Sequence, residues 1–354
     1  MDNWSESSIR WWPNFNYMKQ VFIKAISYHL PSDILSNEKI SIDFPEWNVE
    51  KISSKTGISK RHICKKEEFA SDLAIKAAEK LFKEHNIDKS SIDFLLYCTQ
   101  SPDYFLPTTA CILQDKLNLN TSIGALDFNL GCSGYVYGLS LAKGLILGGM
   151  ANNVLLITAE TYSKFIHVKD KSNKTIFGDA ASATFITDQS GKFVISDFIF
   201  GTDGKGAENL IVKNGGVRNL NKKSGDREDE YGNIRNDNNL YMNGSEIFNF
   251  TSEAIPKLTK QILLKIGLEL KDIDLFVFHQ ANKYMLNHIR KKIGIPDEKF
   301  FISMEHCGNT VSSTIPIALH DAMQLGRLDL ISNCLLEGFG VGYSWAACYL
   351  KVNK

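Results

Sequence analysis

Two stretches of this chain recur later in the sequence at a near-constant distance. The segment "SIDFLLYCTQ" (91–100) returns as "DIDLFVFHQA" (272–281), an offset of 181 residues. The segment "NVLLITAE" (153–160) returns as "NCLLEGFG" (333–340), an offset of 180 residues. A fixed offset shared by several elements is typical of a tandem duplication. Chance similarity between apolar strands is the alternative, so two related halves are at this point a hypothesis.

A glycine-punctuated turn that opens a helix lies between the repeated segments of each half. It reads "NLGCSGYVYGLSLAKGL" (129–145) in the first half and "HCGNTVSSTIPIALHDAM" (306–323) in the second. Strands that alternate with helices predict an α/β fold with mostly parallel sheets covered on both faces. Residues 1–17 show no periodic pattern, so we expect an N-terminal extension outside the core or the product of an upstream start codon. The offset places the boundary between a first half (18–189) and a second half (190–354) near residue 190.

One long polar segment interrupts the second half. Residues 213–239 are rich in glycine, asparagine and charged side chains. Such a segment predicts a surface excursion, which is either a plain solvated loop or a lid over a site.

Composition limits the classes of function. The 354 residues carry 40 basic and 40 acidic side chains, and 44% of the residues are hydrophobic. A balanced charge argues against a nucleic-acid binder or a membrane-surface protein. The N-terminus lacks the basic-then-apolar layout of a signal peptide, and the most apolar window, 135–150, contains Lys143. We therefore expect a cytoplasmic protein with no nucleic-acid or membrane partner.

The seven cysteines do not form a recognisable framework. They contain no CxxC pair, which makes a disulfide scaffold or a cysteine zinc site improbable, and we predict no metal site. Most of them are expected to be small buried hydrophobic residues.

Cys132 differs from the other cysteines because it lies between Gly131 and Gly134, where polar sequence gives way to a long apolar run. The glycines permit a sharp turn and the close approach of a substrate. The apolar run predicts a central buried helix, whose N-terminus would stabilise a thiolate. A structural cysteine is the alternative. The apolar residues of this helix are Tyr135, Val136, Leu139, Leu141, Leu145 and Ile146.

Two further polar residues occupy related turns. His279 ends the repeated strand of the second half, and Asn309 lies in the turn that corresponds to that of Cys132. Taken singly, they could be a hydrogen-bonded core histidine and a turn residue. Ligands of α/β sheets bind at the carboxyl ends of strands, so we expect all three side chains to converge. The glycine-rich turn "EGFGVGYSW" (337–345) predicts an oxyanion hole rather than a phosphate loop, since no GK[ST] follows.

Four motifs in this order resemble a known family. "GCSG" (131–134), "HQAN" (279–282), "GNT" (308–310) and "GFGVGYSW" (338–345) are similar to motifs of β-ketoacyl-acyl-carrier-protein synthase III and its thiolase-like relatives. The likeness extends from about Met18 to the C-terminus. It implies a thiolase-like α/β fold of two duplicated halves with five-layer αβαβα packing, and a homodimer.

The resemblance also implies a reaction. Cys132 would take an acyl group as a thioester, and the oxyanion hole would be the N–H groups of Cys132 and Val341. His279 and Asn309 would bind the carbonyl of a malonyl thioester and favour its decarboxylation and condensation with the acyl group. The alternatives are acyl transfer to an oxygen or nitrogen acceptor by the same residues, and a non-catalytic interaction protein.

The implied substrates arrive on coenzyme A or on the phosphopantetheine of an acyl carrier protein, with no permanently bound cofactor. The substrate-binding positions are Trp47, Lys55, Lys171, Phe248 and Asn282. Relatives hold coenzyme A between a tryptophan and arginines, so lysine at two of these positions weakens that expectation.

The implied carrier-protein docking face consists of Arg290, Lys291 and Lys292, although a plain solvated helix end would have the same residues. Phe105 and Leu106 are expected near a primer pocket shaped in part by the partner subunit. Tyr284 stands where relatives have a further arginine.

Overall fold

A computed structural model describes residues 19–220 and 222–353 of the chain. The predicted N-terminal extension, residues 1–17, lies outside the described residues.

Within the described residues the chain forms the following strands: β1 (Phe22–His29), β2 (Asp33–Ser36), β3 (Lys60–Ile63), β4 (Phe94–Cys98), β5 (Gly124–Phe128), β6 (Asn153–Glu160), β7 (Ala180–Thr187), β8 (Phe193–Thr202), β9 (Leu210–Ile211), β10 (Arg227–Glu228), β11 (Ile234–Arg235), β12 (Tyr241–Met242), β13 (Leu275–Phe278), β14 (Asn333–Gly340) and β15 (Ser344–Val352). The α-helices are α1 (Asn37–Asp43), α2 (Val49–Thr56), α3 (Ala70–His85), α4 (Thr109–Lys116), α5 (Gly134–Leu147), α6 (Lys171–Lys174), α7 (Gly244–Ile266), α8 (Lys283–Ile293) and α9 (Thr314–Gln324).

Nine strands hydrogen-bond in the order β13-β14-β15-β8-β1-β7-β6-β4-β5. Only the β4–β5, β4–β6 and β13–β14 pairs of this described sheet are parallel. The prediction of mostly parallel sheets is therefore wrong. Short connections explain the difference: the three residues between β14 and β15 allow an antiparallel hairpin but leave no room for a crossover helix.

The two halves of the sheet share one strand order. The first reads β5-β4-β6-β7-β1, and the second matches it when Phe300, which bridges to Phe276 of β13, occupies the outermost position. Corresponding residues also make the same bonds. Oδ2 of Asp93 accepts from the N–H groups of residues 152 and 153, and Oδ2 of Asp274 accepts from those of residues 332 and 333. The division near residue 190, between β7 and β8, stays a prediction.

Helices and half-sheets alternate in five layers. Helix α3 covers the outer face of the first half, and α7 and α8 cover that of the second. Helices α5 and α9 lie between the halves, where their apolar side chains pack against β4, β6, β13 and β14. The predicted burial of α5 holds for Tyr135, Val136, Leu139 and Ile146. It is wrong for Leu141, which is 40% exposed because one side of this helix faces away from both half-sheets.

The polar segment 213–239 is packed against the body of the protein rather than solvated throughout. Asn233 is buried, and its Oδ1 accepts from the backbone N–H and hydroxyl of Ser172 at 3.1 and 3.0 Å. Arg235 pairs with the buried Asp170. These side chains satisfy the polar groups at the start of α6 and attach the segment to the body of the protein. Its described residues, 213–220 and 222–239, are called the strap.

None of the helices in the described residues combines the length and apolar character that a membrane crossing requires.

Candidate active site

Cys132 lies in the turn between β5 and α5. Its side chain is 5% exposed, and Ser133 occupies the N-cap of α5. The C-terminal end of β14 lies against it, so that a Cβ added to Gly340 would come within 2.7 Å of the Cys132 Sγ atom. The sulfur is therefore held at the meeting point of the two halves.

The flanking glycines are required by packing. A Cβ on Gly134 would lie 2.3 Å from the Sγ atom of Cys98, and one on Gly131 would lie 2.5 Å from Oε1 of Gln100. Neither glycine is among the residues with positive φ. The turn is present, since the Gly134 N–H donates to the Gly131 carbonyl at 2.8 Å, but the glycines provide steric space there rather than a positive φ.

Burial and hydrogen bonding have opposite effects on the pKa of the Cys132 thiol. Burial raises its pKa to about 12, although hydrogen bonds from the backbone N–H groups of Val341 and of Cys132 itself act in the opposite direction. Burial therefore opposes the predicted stabilisation of a thiolate at the N-terminus of α5, which stays a prediction. Burial by β14, which the local sequence does not reveal, outweighs the donors. The same two N–H groups are those of the predicted oxyanion hole.

His279 follows β13 directly and is 2% exposed. Its Nδ1 atom lies 2.7 Å from the Thr314 Oγ1 atom, and its ring packs edge-on against Phe339 with 5.6 Å between centroids. Burial lowers the pKa of His279 to about 3. The imidazole is therefore neutral at physiological pH and carries one ring proton.

Asn309 is fixed by its backbone and by its side-chain oxygen. Its N–H donates to the Ile176 carbonyl at 2.9 Å, and its Oδ1 accepts from the Val311 N–H at 2.9 Å. The Nδ2 group is then the donor with which this side chain can meet a ligand. Val311 itself has a φ of 56°, an uncommon conformation for a β-branched residue that marks this turn as constrained.

One cavity of about 150 Å³ is lined by Cys132, His279 and Asn309 together. Asn282, the N-cap of α8, also lines it, with its Oδ1 accepting from the Met285 N–H. The structure thus brings together the three side chains predicted at related turns. A sulfur nucleophile, a neutral imidazole and a carboxamide in one buried space can accept an acyl group and stabilise a developing oxyanion or enolate.

A larger apolar cavity of about 710 Å³ lies on the other side of Val341. Leu210 lines both cavities. The exposed Tyr104 and Phe105 stand at the larger one, and Gly215 and Gly216 of the strap form part of its wall.

Glu160 was missed in the sequence analysis. Its carboxyl group is buried and accepts hydrogen bonds from the Gln100 N–H and from the hydroxyls of Ser101 and Ser312, the last at 2.9 Å. Burial raises its pKa to about 8. The signal was present, because Glu160 is a charged residue that ends an otherwise apolar strand.

The predicted coenzyme A residues lie together at the surface, but their charges are already occupied. The ammonium groups of Lys51 and Lys55 lie 5.0 and 5.5 Å from the Trp47 ring centroid. The Lys171 Nζ atom is 2.7 Å from the Glu46 carboxylate. An incoming nucleotide would have to displace these contacts.

Phe248 and Tyr284 stack between α7 and α8, with ring centroids 5.9 Å apart. Phe248 also packs against His288 at 4.7 Å. Tyr284 and His288, together with Lys283, line a surface pocket of about 430 Å³.

The predicted docking residues are not equivalent. Lys291 and Lys292 are exposed, whereas the Arg290 guanidinium is largely covered and pairs with Asp297 at 3.2 Å. A groove of about 480 Å³ beside them adds Lys283 and Arg327, which the sequence analysis missed. Their contribution requires the spatial proximity of α8 and the end of α9.

Among the described residues no group of three or more histidine, cysteine or acidic side chains could hold a metal ion.

Comparisons with known proteins agree with this geometry. A family model described as 3-oxoacyl-[acyl-carrier-protein (ACP)] synthase III matches residues 126–204, and the model of its C-terminal part matches residues 263–352. The beta-ketoacyl-[acyl-carrier-protein] synthase III of Clostridium tetani is 36% identical over 341 residues, which cover 94% of this chain and 98% of that protein.

Solved structures are similar as well. One crystal structure of a 3-oxoacyl-(acyl-carrier-protein) synthase III is 49% identical with a TM-score of 0.91, and the match covers 94% of this chain and 99% of that chain. A 3-oxoacyl-(acyl-carrier protein) synthase from Burkholderia xenovorans is 37% identical with a TM-score of 0.85, covering 95% of both chains.

Proposed function

The chain belongs to the 3-oxoacyl-[acyl-carrier-protein] synthase III family, and on that premise we propose that it condenses an acyl thioester with a malonyl thioester. The predicted family and the thiolase-like fold are confirmed. The observation that supports the proposed chemistry is that Cys132, neutral His279 and Asn309 line the same cavity.

Acylation comes first. The Cys132 sulfur forms a bond to the acyl carbon while the donor's carbon–sulfur bond breaks, and the departing pantetheine thiol takes up the proton. The Cys132 and Val341 N–H groups, which already face the sulfur, stabilise the oxyanion of this step. The acyl chain extends into the apolar cavity beside Val341, whose lining suits a hydrocarbon.

Condensation follows in the same cavity. Loss of carbon dioxide from the malonyl thioester leaves an enolate, whose carbon attacks the acyl-cysteine carbonyl and releases the Cys132 thiolate. The thioester oxygen of the enolate accepts hydrogen bonds from the Asn309 Nδ2 group and from the imidazole of His279. The neutral imidazole of His279 has one ring N–H with which to donate this hydrogen bond.

Carrier protein and coenzyme A are the proposed means of delivery. The exposed Lys291 and Lys292, with Lys283 and Arg327 in the adjacent groove, suit an acidic carrier protein. Trp47, Lys55 and Lys171 would contact the coenzyme A of a primer, and Phe248 and Asn282 the pantetheine arm. The contact between Lys171 and Glu46 weakens the case for a tightly held nucleotide.

A cytoplasmic homodimer is the proposed form of the enzyme. Strand β5 is an edge strand of the described sheet and carries the half-exposed Leu126. Phe105 and Leu106 are 66% and 82% exposed on a neighbouring loop. Exposed apolar residues beside an unpaired strand edge are typical of a surface that another chain covers.

Products distinguish condensation from acyl transfer to oxygen or nitrogen. The enzyme is incubated with an acyl donor and malonyl carrier protein, and carbon dioxide and the 3-oxoacyl product are measured together. We expect both in equal amounts, and neither with Asn309→Ala or His279→Ala. Acyl ester or amide formation without carbon dioxide would instead support the second candidate.

A further inference from the structure

The neutral imidazole of His279 has one proton that can reside on either of two nitrogens. If Nε2 is protonated, the ring donates to a substrate carbonyl; if Nδ1 is protonated, the ring presents a lone pair and repels that oxygen. The partner of Nδ1 therefore decides whether His279 can act as a donor.

Thr314 is that partner. Its Oγ1 atom lies 2.7 Å from the His279 Nδ1 atom and 3.0 Å from the Val311 carbonyl oxygen. Thr314 is 2% exposed and Val311 fully buried, so bulk water does not compete. The hydroxyl has one proton, which can be donated to the ring nitrogen or to the carbonyl oxygen at any one time.

The Val311 carbonyl does not depend on the hydroxyl. It already accepts a hydrogen bond from the backbone N–H of Thr314, at the junction between the 3-10 turn of residues 311–313 and α9. A deprotonated Nδ1 has greater need of the hydroxyl proton, because an unpaired buried acceptor costs about 1–3 kcal/mol.

We propose that Thr314 is a positioning residue whose hydroxyl donates to Nδ1 of His279 and thereby holds the ring proton on Nε2, facing the substrate. This inference rests on the proposed condensation, in which His279 is a donor. Thr314 does not line the cavity of Cys132, His279 and Asn309. It therefore affects decarboxylation and condensation through His279, whereas acylation of Cys132 depends on the N–H groups of Cys132 and Val341.

Loss of the hydroxyl should reverse the tautomer. In Thr314→Val the shape is nearly kept, but Nδ1 has no donor. The buried Val311 carbonyl, which lies 3.0 Å from the Thr314 Oγ1 atom in the native protein, is then left as an acceptor for an Nδ1 proton. Nε2 would be left as a lone pair directed at the substrate oxygen.

Three variants test the proposal: Thr314→Val, the conservative Thr314→Ser, and Ser313→Ala as a control. Ser313 is equally buried, but its hydroxyl bonds to Thr158 rather than to His279. The readouts are the ring nitrogen chemical shifts of ¹⁵N-histidine-labelled enzyme, carbon dioxide release from malonyl carrier protein, and the rate of acyl-adduct formation. The His279 signals are assigned by their absence from His279→Gln.

We expect an Nε2–H tautomer in the native enzyme and an Nδ1–H tautomer in Thr314→Val. Carbon dioxide release should fall on the order of 10²-fold in that variant, as when one oxyanion-hole donor is removed. Adduct formation should change little, Thr314→Ser should restore most of the loss, and Ser313→Ala should keep the native tautomer.

An Nδ1–H tautomer in the native enzyme, or equal carbon dioxide release from Thr314→Val and the native enzyme, would overturn the proposal. Equal losses of release and acylation would also overturn it, since they indicate general damage. The proposed condensation fails separately, if the native enzyme releases no carbon dioxide at all, and the tautomer can still be read in that case.

Discussion

The Cα atom of Gly340 faces the Cys132 sulfur so closely that a Cβ at residue 340 would lie 2.7 Å from Sγ and 2.8 Å from the Cys132 Cβ. Two residues from different halves of the chain therefore share a space that admits no further carbon. The backbone of β14 serves as one wall of the nucleophile's site, and the Val341 N–H that follows can reach the reacting atoms because nothing stands between them.

Gly340→Ala should displace Cys132 and slow acyl-adduct formation. A displacement of about 1 Å at a reacting atom can cost on the order of 10²-fold in rate, and we expect a loss of that order with the far-UV circular dichroism unchanged. The measurement is single-turnover adduct formation by mass spectrometry. Gly144→Ala in α5 is the control, since no atom of the described chain lies within 4 Å of its added Cβ. A normal rate in Gly340→Ala would show that the site is not this tightly packed.

Glu160 should make the free energy of unfolding fall as pH rises from about 4.5 to about 8. Burial raises the folded-state pKa of Glu160 from its ordinary value of 4.5 to about 8. A carboxyl group whose pKa is raised by folding contributes its full stabilisation below the pKa that it has in the unfolded chain. This contribution is lost as pH rises through the folded-state pKa of about 8. The limiting slope for one group is about 1.4 kcal/mol per pH unit.

The contribution of Glu160 to the pH dependence of the free energy of unfolding can be isolated with the variant Glu160→Gln. Urea unfolding of the native enzyme and of Glu160→Gln, from pH 6 to pH 9, gives two free-energy curves whose difference removes the contribution of every other titrating group. We expect the native enzyme to lose stability more steeply than the variant as pH rises. Parallel curves would mean that Glu160 is ionised in the folded protein at neutral pH.

Charge reversal at Lys291 and Lys292 should weaken the use of carrier-bound substrate. Exposed charges mainly raise the association rate and fix orientation, so Lys291→Glu/Lys292→Glu should raise KM for malonyl carrier protein several-fold at low salt. The effect should shrink near 0.15 M salt, where the Debye length is about 8 Å. KM for a malonyl pantetheine thioester should be unchanged.

Arg290 is best omitted from that variant, because its guanidinium also donates to the Ile295 carbonyl at 3.2 Å and holds the end of α8. The matched control is Lys83→Glu/Lys116→Glu, two exposed lysines of the opposite outer layer. A similar rise in KM for malonyl carrier protein in both double variants, or a rise in KM for the malonyl pantetheine thioester, would contradict a docking role for α8.

The exposed Leu126 on β5 tests the proposed dimer. Leu126→Lys places a charge on the surface that a second copy should cover, and we expect sedimentation velocity to show a shift from dimer to monomer. Leu330→Lys, at a position that is 93% exposed, should leave the oligomeric state as it is. A monomeric native enzyme, or a dimeric Leu126→Lys, would contradict the assignment of this surface.

The sequence allowed the three cavity side chains to be placed because His279 ends a repeated strand and because Cys132 and Asn309 lie in corresponding glycine-punctuated turns. Residues that act through them were not predictable in the same way. Thr314 is one hydroxyl residue among several in "NTVSST", and only the fold shows that its oxygen meets the His279 ring. The burial of Cys132 likewise depends on a strand more than 200 residues away, which is why its raised pKa was not anticipated.

The sequence pattern also could not predict whether neighbouring strands run parallel or antiparallel. A buried apolar run such as β7 or β15 has the same composition in either orientation, and orientation follows from the lengths of the connections. The strap was difficult for a related reason. Its polar composition indicated solvent exposure, whereas Asn233 is buried because it replaces water as the partner of Ser172.

The central claim is that Cys132 receives the acyl group. The native enzyme, Cys132→Ala, Cys111→Ser and Cys307→Ala are each incubated with an acyl-pantetheine donor. The intact mass shows how many acyl groups each protein carries, and tryptic mapping then shows which residue carries them. Cys111 is an exposed free thiol and Cys307 a buried one, so these two variants control for accessibility and for burial. The account predicts one acyl adduct, mapped to Cys132, in all proteins except Cys132→Ala. An adduct that persists in Cys132→Ala and disappears from another cysteine variant would contradict it.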